Sequence, residues 1–303
     1  MSNINGKTDF HPRQSNNYEY NFSFMLPNLT NFKEILSPLY DGAEARNLYY
    51  MVLTELLDCD MTTLLLHGDR LMTAGKVERF DEITQKLREG QPVQHILGYA
   101  LFHGNRFFVN PNVLVPRPET EELVDWILQD EARPTTLLDI GTGSGCIAIS
   151  LKKELKETTV FAMDVSEKAI ETAKKNAQEN HTEIIFIHDD ILNPNFFDDN
   201  WNVSLIVSNP PYIRREEKKS MHKNVLEHDP HLALFVPDED PLMFYREIAR
   251  FGQKHLEKGG CIYFEINEAL AEETCHELEK FGYQNIVVKK DGNGKNRMIK
   301  CQK

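Results

Sequence analysis

From Thr135 to the end of the chain, short apolar runs alternate with helix-like segments, and this alternation constrains the fold more than any other feature. The runs are "TTLLDI", "TVFAMDV", "EIIFIHDDI", "VSLIV" and "CIYFEIN", interleaved with "GCIAISLKKEL", "SEKAIETAKKNAQEN" and "PLMFYREIARFGQKHLEKGG". Strands this short and this apolar are covered on both faces, the pattern of a parallel sheet flanked by helices. A doubly wound α/β sheet is therefore expected over residues 117–303. The closing "QNIVVKKD" and "NRMIKCQK", joined through "GNGK", read as an antiparallel hairpin at the edge of that sheet.

The first third of the chain has a different character. Residues 1–24 are rich in Asn, Ser and Gln and carry little apolar periodicity, so a disordered tail is expected, with Met25 a candidate alternative start. Residues 25–95 read as a small helical domain. "NFKEILSPLY" and "AEARNLYYMVLTELLDC" carry apolar residues at helical spacing, Pro38 and Gly42 separate them, and "VERFDEITQKLREG" adds a helix ending at Gly90. Residues 96–116 hold apolar runs broken at "HGN" and "NPN", which predicts a β-hairpin linker. "PETEELVDWIL" then opens a helix with acids in its first turn, where the helix dipole favours them.

Several function classes are disfavoured by composition. The apolar runs are far shorter than the roughly 20 residues a membrane helix needs. The amino terminus has no apolar segment after a basic start, so no secretory signal is read and cytoplasmic residence is expected. Five cysteines without a CxxC pair argue for reduced thiols. His222, His228 and His231 with Asp229 form a loose cluster, but no compact ligand pair accompanies it and no metal is expected. The net charge of −13, from 47 acidic and 34 basic residues, repels a polyanion over most of the surface. A protein partner or a small substrate is favoured over a direct nucleic-acid substrate.

Strand ends carry the chemistry. "DIGTGSG" places Gly141, Thr142, Gly143, Ser144 and Gly145 between the first strand and the next helix, where glycines let the backbone approach a ligand closely. The spacing is GxGxG rather than the dinucleotide GxGxxG. The second strand ends at Asp164, placed to hold a ribose diol, and the third at Asp190, where an acid can accept from an adenine amino group while Ile191 packs on the ring. Either acid alone is equally well read as a helix cap. Together with the Gly-rich turn they favour a nucleoside-bearing ligand in the crevice at the carboxyl edge of the sheet.

The fourth strand ends in "SNPPYI", and two prolines cannot continue a sheet. "DIGTGSG", Asp164, Asp190 and "NPPY" in this order resemble class I S-adenosylmethionine-dependent methyltransferases, with a Rossmann-like sheet, that modify planar nitrogens. Such a nitrogen is a feeble nucleophile because its lone pair is delocalised. Two acceptors binding both N–H bonds can orient it and favour its pyramidalisation. The resemblance gives these roles to the Asn209 side-chain oxygen and the Pro210 carbonyl, with Pro211 fixing the turn and Tyr212 presenting an aromatic face. It implies S-adenosylmethionine on Gly141 to Gly145, Asp164, Asp190, Ile191 and Asn209, and substrate on Asn209, Pro210, Pro211 and Tyr212.

The flanks narrow the family. "PRPETE" at 116–121, "LEHDPHLALF" at 226–235 and "DGNGKNRMI" at 291–299 resemble the release-factor glutamine-N5 methyltransferases of the PrmC/HemK family over nearly the whole chain from about residue 30. That resemblance implies methylation of the glutamine in the Gly-Gly-Gln loop of peptide-chain release factors, a helical substrate-recognition domain and a monomeric enzyme. Two stretches depart from the family pattern, "PDEDPL" at 237–242 and "EINEAL" at 265–270. One rival is an amino-group methyltransferase for DNA adenine or rRNA guanine, which predicts a basic groove or a target-recognition insert. The other is a non-catalytic adaptor, which predicts degenerate strand-end motifs. "GTGSG" and "NPPY" are intact.

Overall fold

The structure, a computed structural model, describes residues 23–66, 72–130, 133–220 and 229–303. Residues 1–22 of the expected tail, and His222 and His228 of the weighed histidine cluster, lie outside the described residues. The chain forms two compact units, Met1–Arg88 and Glu89–Lys303.

In the first unit, β1 (Ser23–Phe24) pairs with β2 (Met72–Thr73), and four helices follow the order α1 (Leu29–Leu36), α2 (Gly42–Leu57), α3 (Met61–Leu66) and α4 (Ala74–Arg88). Asn28 and Asp41 cap α1 and α2 through their side-chain oxygens, satisfying amides that would otherwise lack partners. Leu36, Val52, Ile83 and Leu87 are buried, and the Phe32 ring packs on Tyr49 and Phe80 with centroids 5.5 and 5.4 Å away. Of the apolar residues that the sequence spaces along α2, Leu48 and Val52 enter this core while Met51 is exposed.

The second unit begins with α5 (Val93–Leu97), closed by Gly98 at φ 80°, and a hairpin of β3 (Tyr99–Phe102) and β4 (Asn105–Phe108). Its two-residue turn, His103–Gly104, has positive φ at both positions, which matches the twist of the paired strands. Next come α6 (Pro118–Gln129), β5 (Thr136–Ile140), α7 (Cys146–Glu154), β6 (Thr159–Asp164), α8 (Glu167–Glu179), β7 (Ile185–His188), β8 (Val203–Ser208) and β9 (Ile213–Arg214). The chain closes with α9 (His231–Leu234), β10 (Phe235–Val236), α10 (Met243–His255), β11 (Leu256–Glu265), α11 (Ala271–Lys280), β12 (Gln284–Lys290) and β13 (Asn296–Gln302).

Seven of these strands make one sheet in the order β12-β13-β11-β8-β5-β6-β7. The run from β11 to β7 is parallel, and β13 and β12 add antiparallel pairings at one edge. The chain steps outward from β5 to β6 and β7, then returns to β8 on the other side of β5. The topological switch therefore lies between β5 and β8, where such sheets open a crevice at the strands' carboxyl ends. One local difference from the sequence reading occurs at "LEKGG", which belongs to β11 rather than to α10. Leu256 is buried and pairs with Val203, and a Cβ on Gly260 would come within 2.8 Å of the Ser204 carbonyl oxygen. The chain at Gly260 is pressed against β8, and only glycine fits there.

Candidate active site

Above the switch point lies a cavity of about 250 Å³. Gly141, Thr142, Gly143 and Ser144 line it from the turn after β5, Asp164 from the end of β6, Asp190 and Ile191 from beyond β7, and Asn209, Pro210 and Pro211 from beyond β8. Arg117 and Thr120 of the α6 start, Leu232 and Ala233 of α9, and Phe244 and Ile248 of α10 add to the wall, as does the segment from Pro111 to Leu114.

The Gly-rich turn is fixed from both sides. Gly141 and Gly143 have φ of 74° and 56°, and a Cβ on either would meet no protein atom within 4 Å, so the space a side chain would take is left to a ligand. Thr142 Oγ1 donates to Asp139 Oδ2 at 2.7 Å. Asp139 is fully buried, and burial pushes its pKa up to about 7. Asp164 accepts the Gly143 amide on Oδ2 at 2.8 Å and the Ser166 amide on Oδ1 at 2.9 Å. Burial raises its pKa as well, against the opposing pull of these amides. Asn176 of α8 is wholly buried and satisfied: it donates to the Ser144 and Phe108 carbonyls at 2.8 and 2.9 Å and accepts the Phe108 amide at 2.7 Å. One side chain thus ties the cavity turn to the hairpin.

Two neighbouring acids hold the loop after β7. Asp189 Oδ2 accepts the amides of Asn195 and Phe196, both at 2.9 Å, and so shapes the loop after β7. Asp190 Oδ1 accepts the Leu192 amide at 2.9 Å, and both acids line the cavity. Sequence reasoning singled out Asp190 and missed the supporting role of Asp189, although the doubled "DD" was its signal.

Around "NPPY" the structure assembles a relay that spans three elements. Asn209 Nδ2 donates to Thr120 Oγ1 at 3.2 Å, Thr120 Oγ1 donates to Glu265 Oε2 at 2.6 Å, and the Tyr212 hydroxyl donates to Glu265 Oε1 at 3.1 Å. Glu265 is buried, which raises its pKa, while Thr120, Tyr212 and Arg297 act in the opposite direction. With its NH₂ group turned to Thr120, the Asn209 amide keeps Oδ1 as the atom able to accept from a substrate.

Two residues expected at the ligand do not line the cavity. Gly145, at φ 80°, abuts α8, where a Cβ would lie 3.1 Å from Ala173 Cβ and from Ile149 Cδ1. Its absent side chain allows α7 to start against α8. Tyr212 packs against the core that holds Tyr245 and Phe264, with its hydroxyl committed to Glu265. Arg117 stands at the cavity paired with the buried Asp229 at 2.7 Å, which joins "PRPETE" to "DPHLAL".

No residue of either departure from the family pattern lines the cavity. No residue of 237–242 lines the cavity; Asp240 instead pairs with Arg246. In "EINEAL", Asn267 Nδ2 donates to the Tyr212 carbonyl at 3.1 Å, so this residue buttresses the "NPPY" turn from behind. Among the described residues, no group of three His, Cys, Asp or Glu side chains could hold a metal ion, and no helix is long and apolar enough to cross a membrane. All five cysteines are unpaired thiols.

A parallel sheet with this switch point, an acid at the end of its second strand and "NPPY" at the end of its fourth defines a methyltransferase of the Rossmann-like class. The Methyltransferase small domain family matches residues 120–232, and the PrmC N-terminal domain family matches residues 29–98. A release factor glutamine methyltransferase of Flavobacterium psychrophilum is 46% identical over 276 residues, 89% of this chain and 96% of the relative. One of the same description from Bacteroides thetaiotaomicron is 42% identical over 267 residues, 88% of this chain and 96% of that one. The chain belongs to the release factor glutamine methyltransferase family. Among solved structures, a T. thermophilus 16S rRNA methyltransferase in complex with AdoMet and guanosine superposes with a TM-score of 0.50 at 16% identity, over 68% of this chain and 49% of that one, a likeness of fold.

Proposed function

We propose that this chain transfers the methyl group of S-adenosylmethionine to the side-chain amide nitrogen, N5, of the glutamine in the Gly-Gly-Gln loop of peptide-chain release factors. The observation that carries the proposal is the Asn209 amide, held by Thr120 with its oxygen left to accept, on the same cavity wall as Asp164 and Asp190.

The cavity suits the cofactor on its own chemistry. Two glycines whose Cβ positions are open leave room for a close backbone approach, and two carboxylates at successive strand ends suit a ribose diol and an adenine amino group. S-adenosylmethionine, when bound, supplies an electrophilic methyl group on a sulfonium. Asp164 and Asp190 would hold the nucleoside, and the turn from Gly141 to Ser144 would cradle the rest. Ile191, beside Asp190, would pack on the base.

Asn209 Oδ1 and the Pro210 carbonyl would accept the two N–H bonds of the substrate amide and turn its nitrogen toward the methyl carbon. Held so, the nitrogen would be set in line for direct displacement at the methyl carbon that the cofactor would supply, its sulfur keeping the electron pair. The N-methylated amide cation is acidic enough to lose its proton to water, so no strong general base is needed. Pro211 fixes the turn, and Tyr212 acts from behind it. Residues 25–95 are proposed as the release-factor recognition domain and 96–116 as the linker to it. A cytoplasmic monomer fits this reading.

The test is to incubate the protein and labelled cofactor separately with a release factor, with its Gln-to-Ala loop variant, and with DNA or rRNA. Label is expected on the wild-type release factor alone. Label on nucleic acid would favour the amino-group rival, label persisting on the variant would remove the glutamine, and none on any substrate would favour the adaptor.

A further inference from the structure

The hydroxyl of Thr120 has one proton, and its surroundings decide where that proton goes. Glu265 Oε2 lies 2.6 Å from Thr120 Oγ1, and the Asn209 amide lies 3.2 Å away on the other side. In its ionised form, which the Thr120 and Tyr212 hydroxyls and the Arg297 charge favour against burial, Glu265 has no proton to donate, so Thr120 donates its hydrogen bond to Oε2 and can only accept from Asn209. The NH₂ group of Asn209 then has to face Thr120. The reversed amide would set Oδ1 against an oxygen lone pair with no proton between them.

The relay is rigidly supported. Tyr212 occupies the second oxygen of Glu265 at 3.1 Å and fixes the plane of the carboxylate. Glu265 and Thr120 are both buried, which excludes the water that would compete for these bonds. Arg297 and Glu119 act on Glu265 with opposite signs.

We propose that Thr120 and Glu265 are positioning residues for methyl transfer: Glu265 accepts the hydrogen bond of the Thr120 hydroxyl, Thr120 accepts from Asn209, and Asn209 Oδ1 is thereby fixed toward the substrate amide. The inference rests on the role given to Asn209 above. A structural role alone, the pinning of α6 to the end of β11, would use the same bonds. The two differ in whether the loss of Thr120 passes through Asn209.

A double-mutant cycle separates them. The kcat, the KM for the release factor and the Kd for S-adenosylmethionine are measured for the wild type, Thr120→Val, Thr120→Ser, Asn209→Ala and the Thr120→Val/Asn209→Ala double variant. Thr120→Val is expected to lower kcat by about tenfold or more, as loss of orientation does, with cofactor Kd unchanged within about twofold. Thr120→Ser, which keeps the hydroxyl, is expected to retain most of the turnover. In the Asn209→Ala background the valine should cost nothing further. Unchanged turnover in Thr120→Val, a loss that persists without Asn209, or a serine variant as poor as the valine would each overturn the relay. Should the valine variant fail to fold, Thr120→Ala takes its place in the cycle. Full turnover of Asn209→Ala would instead overturn the role of Asn209 itself, a separate failure.

Discussion

The Gly143 amide donates to Asp164 Oδ2 at 2.8 Å, so the acid at the end of β6 holds the Gly-rich turn after β5 in place. The same carboxylate reaches Ser166 at the start of α8. Asp164→Ala removes both anchors and the proposed ribose acceptor together. Hydrogen bonds to a charged group are worth about 1.5–3 kcal/mol each, so cofactor affinity is expected to fall by at least about tenfold, with a lower melting temperature. Calorimetric titration with S-adenosylmethionine checks this, and an unchanged Kd would remove Asp164 from the site.

Gly145 and Gly143 should respond to alanine in opposite ways. At Gly145 the new Cβ meets Ala173 and Ile149 at 3.1 Å in a left-handed backbone, so Gly145→Ala is expected to cost about 2 kcal/mol or more of stability. A Cβ added at Gly143 would meet no protein atom within 4 Å, so Gly143→Ala carries only backbone strain, about 1–2 kcal/mol, and its larger effect should be on ligand binding. Melting temperatures and cofactor titrations of the two variants would show this crossing, and an equal loss of affinity in both would return Gly145 to the ligand site.

Much of this site was legible because its groups sit at strand ends, where a change from apolar run to Gly or Asp marks both the boundary and the chemistry. Asp164, Asp190 and Asn209, which all line the cavity, were singled out that way. Thr120 and Glu265 were not, since they meet across 145 positions of sequence and each has an ordinary local explanation. A Thr in "PETEE" reads as the first turn of a helix, and a Glu in "FEIN" reads as a strand end. Gly145 does not line the cavity, and the sequence hid this for the converse reason. Three alternating glycines look equivalent in sequence, but only the packing of α7 on α8 shows that the third serves the core. Asp139 in "LLDIG" carried no signal of burial, because a strand-end Asp is usually solvated.

Asn209→Ala removes a contact that strengthens as charge develops on the substrate nitrogen. Turnover is expected to fall by about 10²-fold or more, the usual loss for one oriented transition-state contact. Cofactor binding should change little, because the nucleoside is held by Asp164, Asp190 and the Gly-rich turn. Single-turnover rates at saturating cofactor, set beside the cofactor Kd, separate the two effects. Unchanged turnover would remove Asn209 from the chemistry.

Asp139 makes stability depend on pH in a direction that can be worked out. Its pKa is raised by burial from an ordinary 3.8 to about 7 in the folded chain. Below the unfolded value the carboxyl is neutral in both states, and its contribution is fully present. As pH rises toward 7 the unfolded chain gives up the proton while the folded chain keeps it, so the folded state binds more protons and loses relative stability. The loss is complete above the folded pKa and amounts to up to about 4 kcal/mol for a shift of this size. Asp139→Asn preserves an oxygen to accept from Thr142 and has no proton to lose. Its stability relative to wild type is therefore expected to rise between about pH 4 and pH 7 and to level off above. Urea denaturation of both proteins across that range measures the difference, and a difference independent of pH would show that Asp139 does not titrate there.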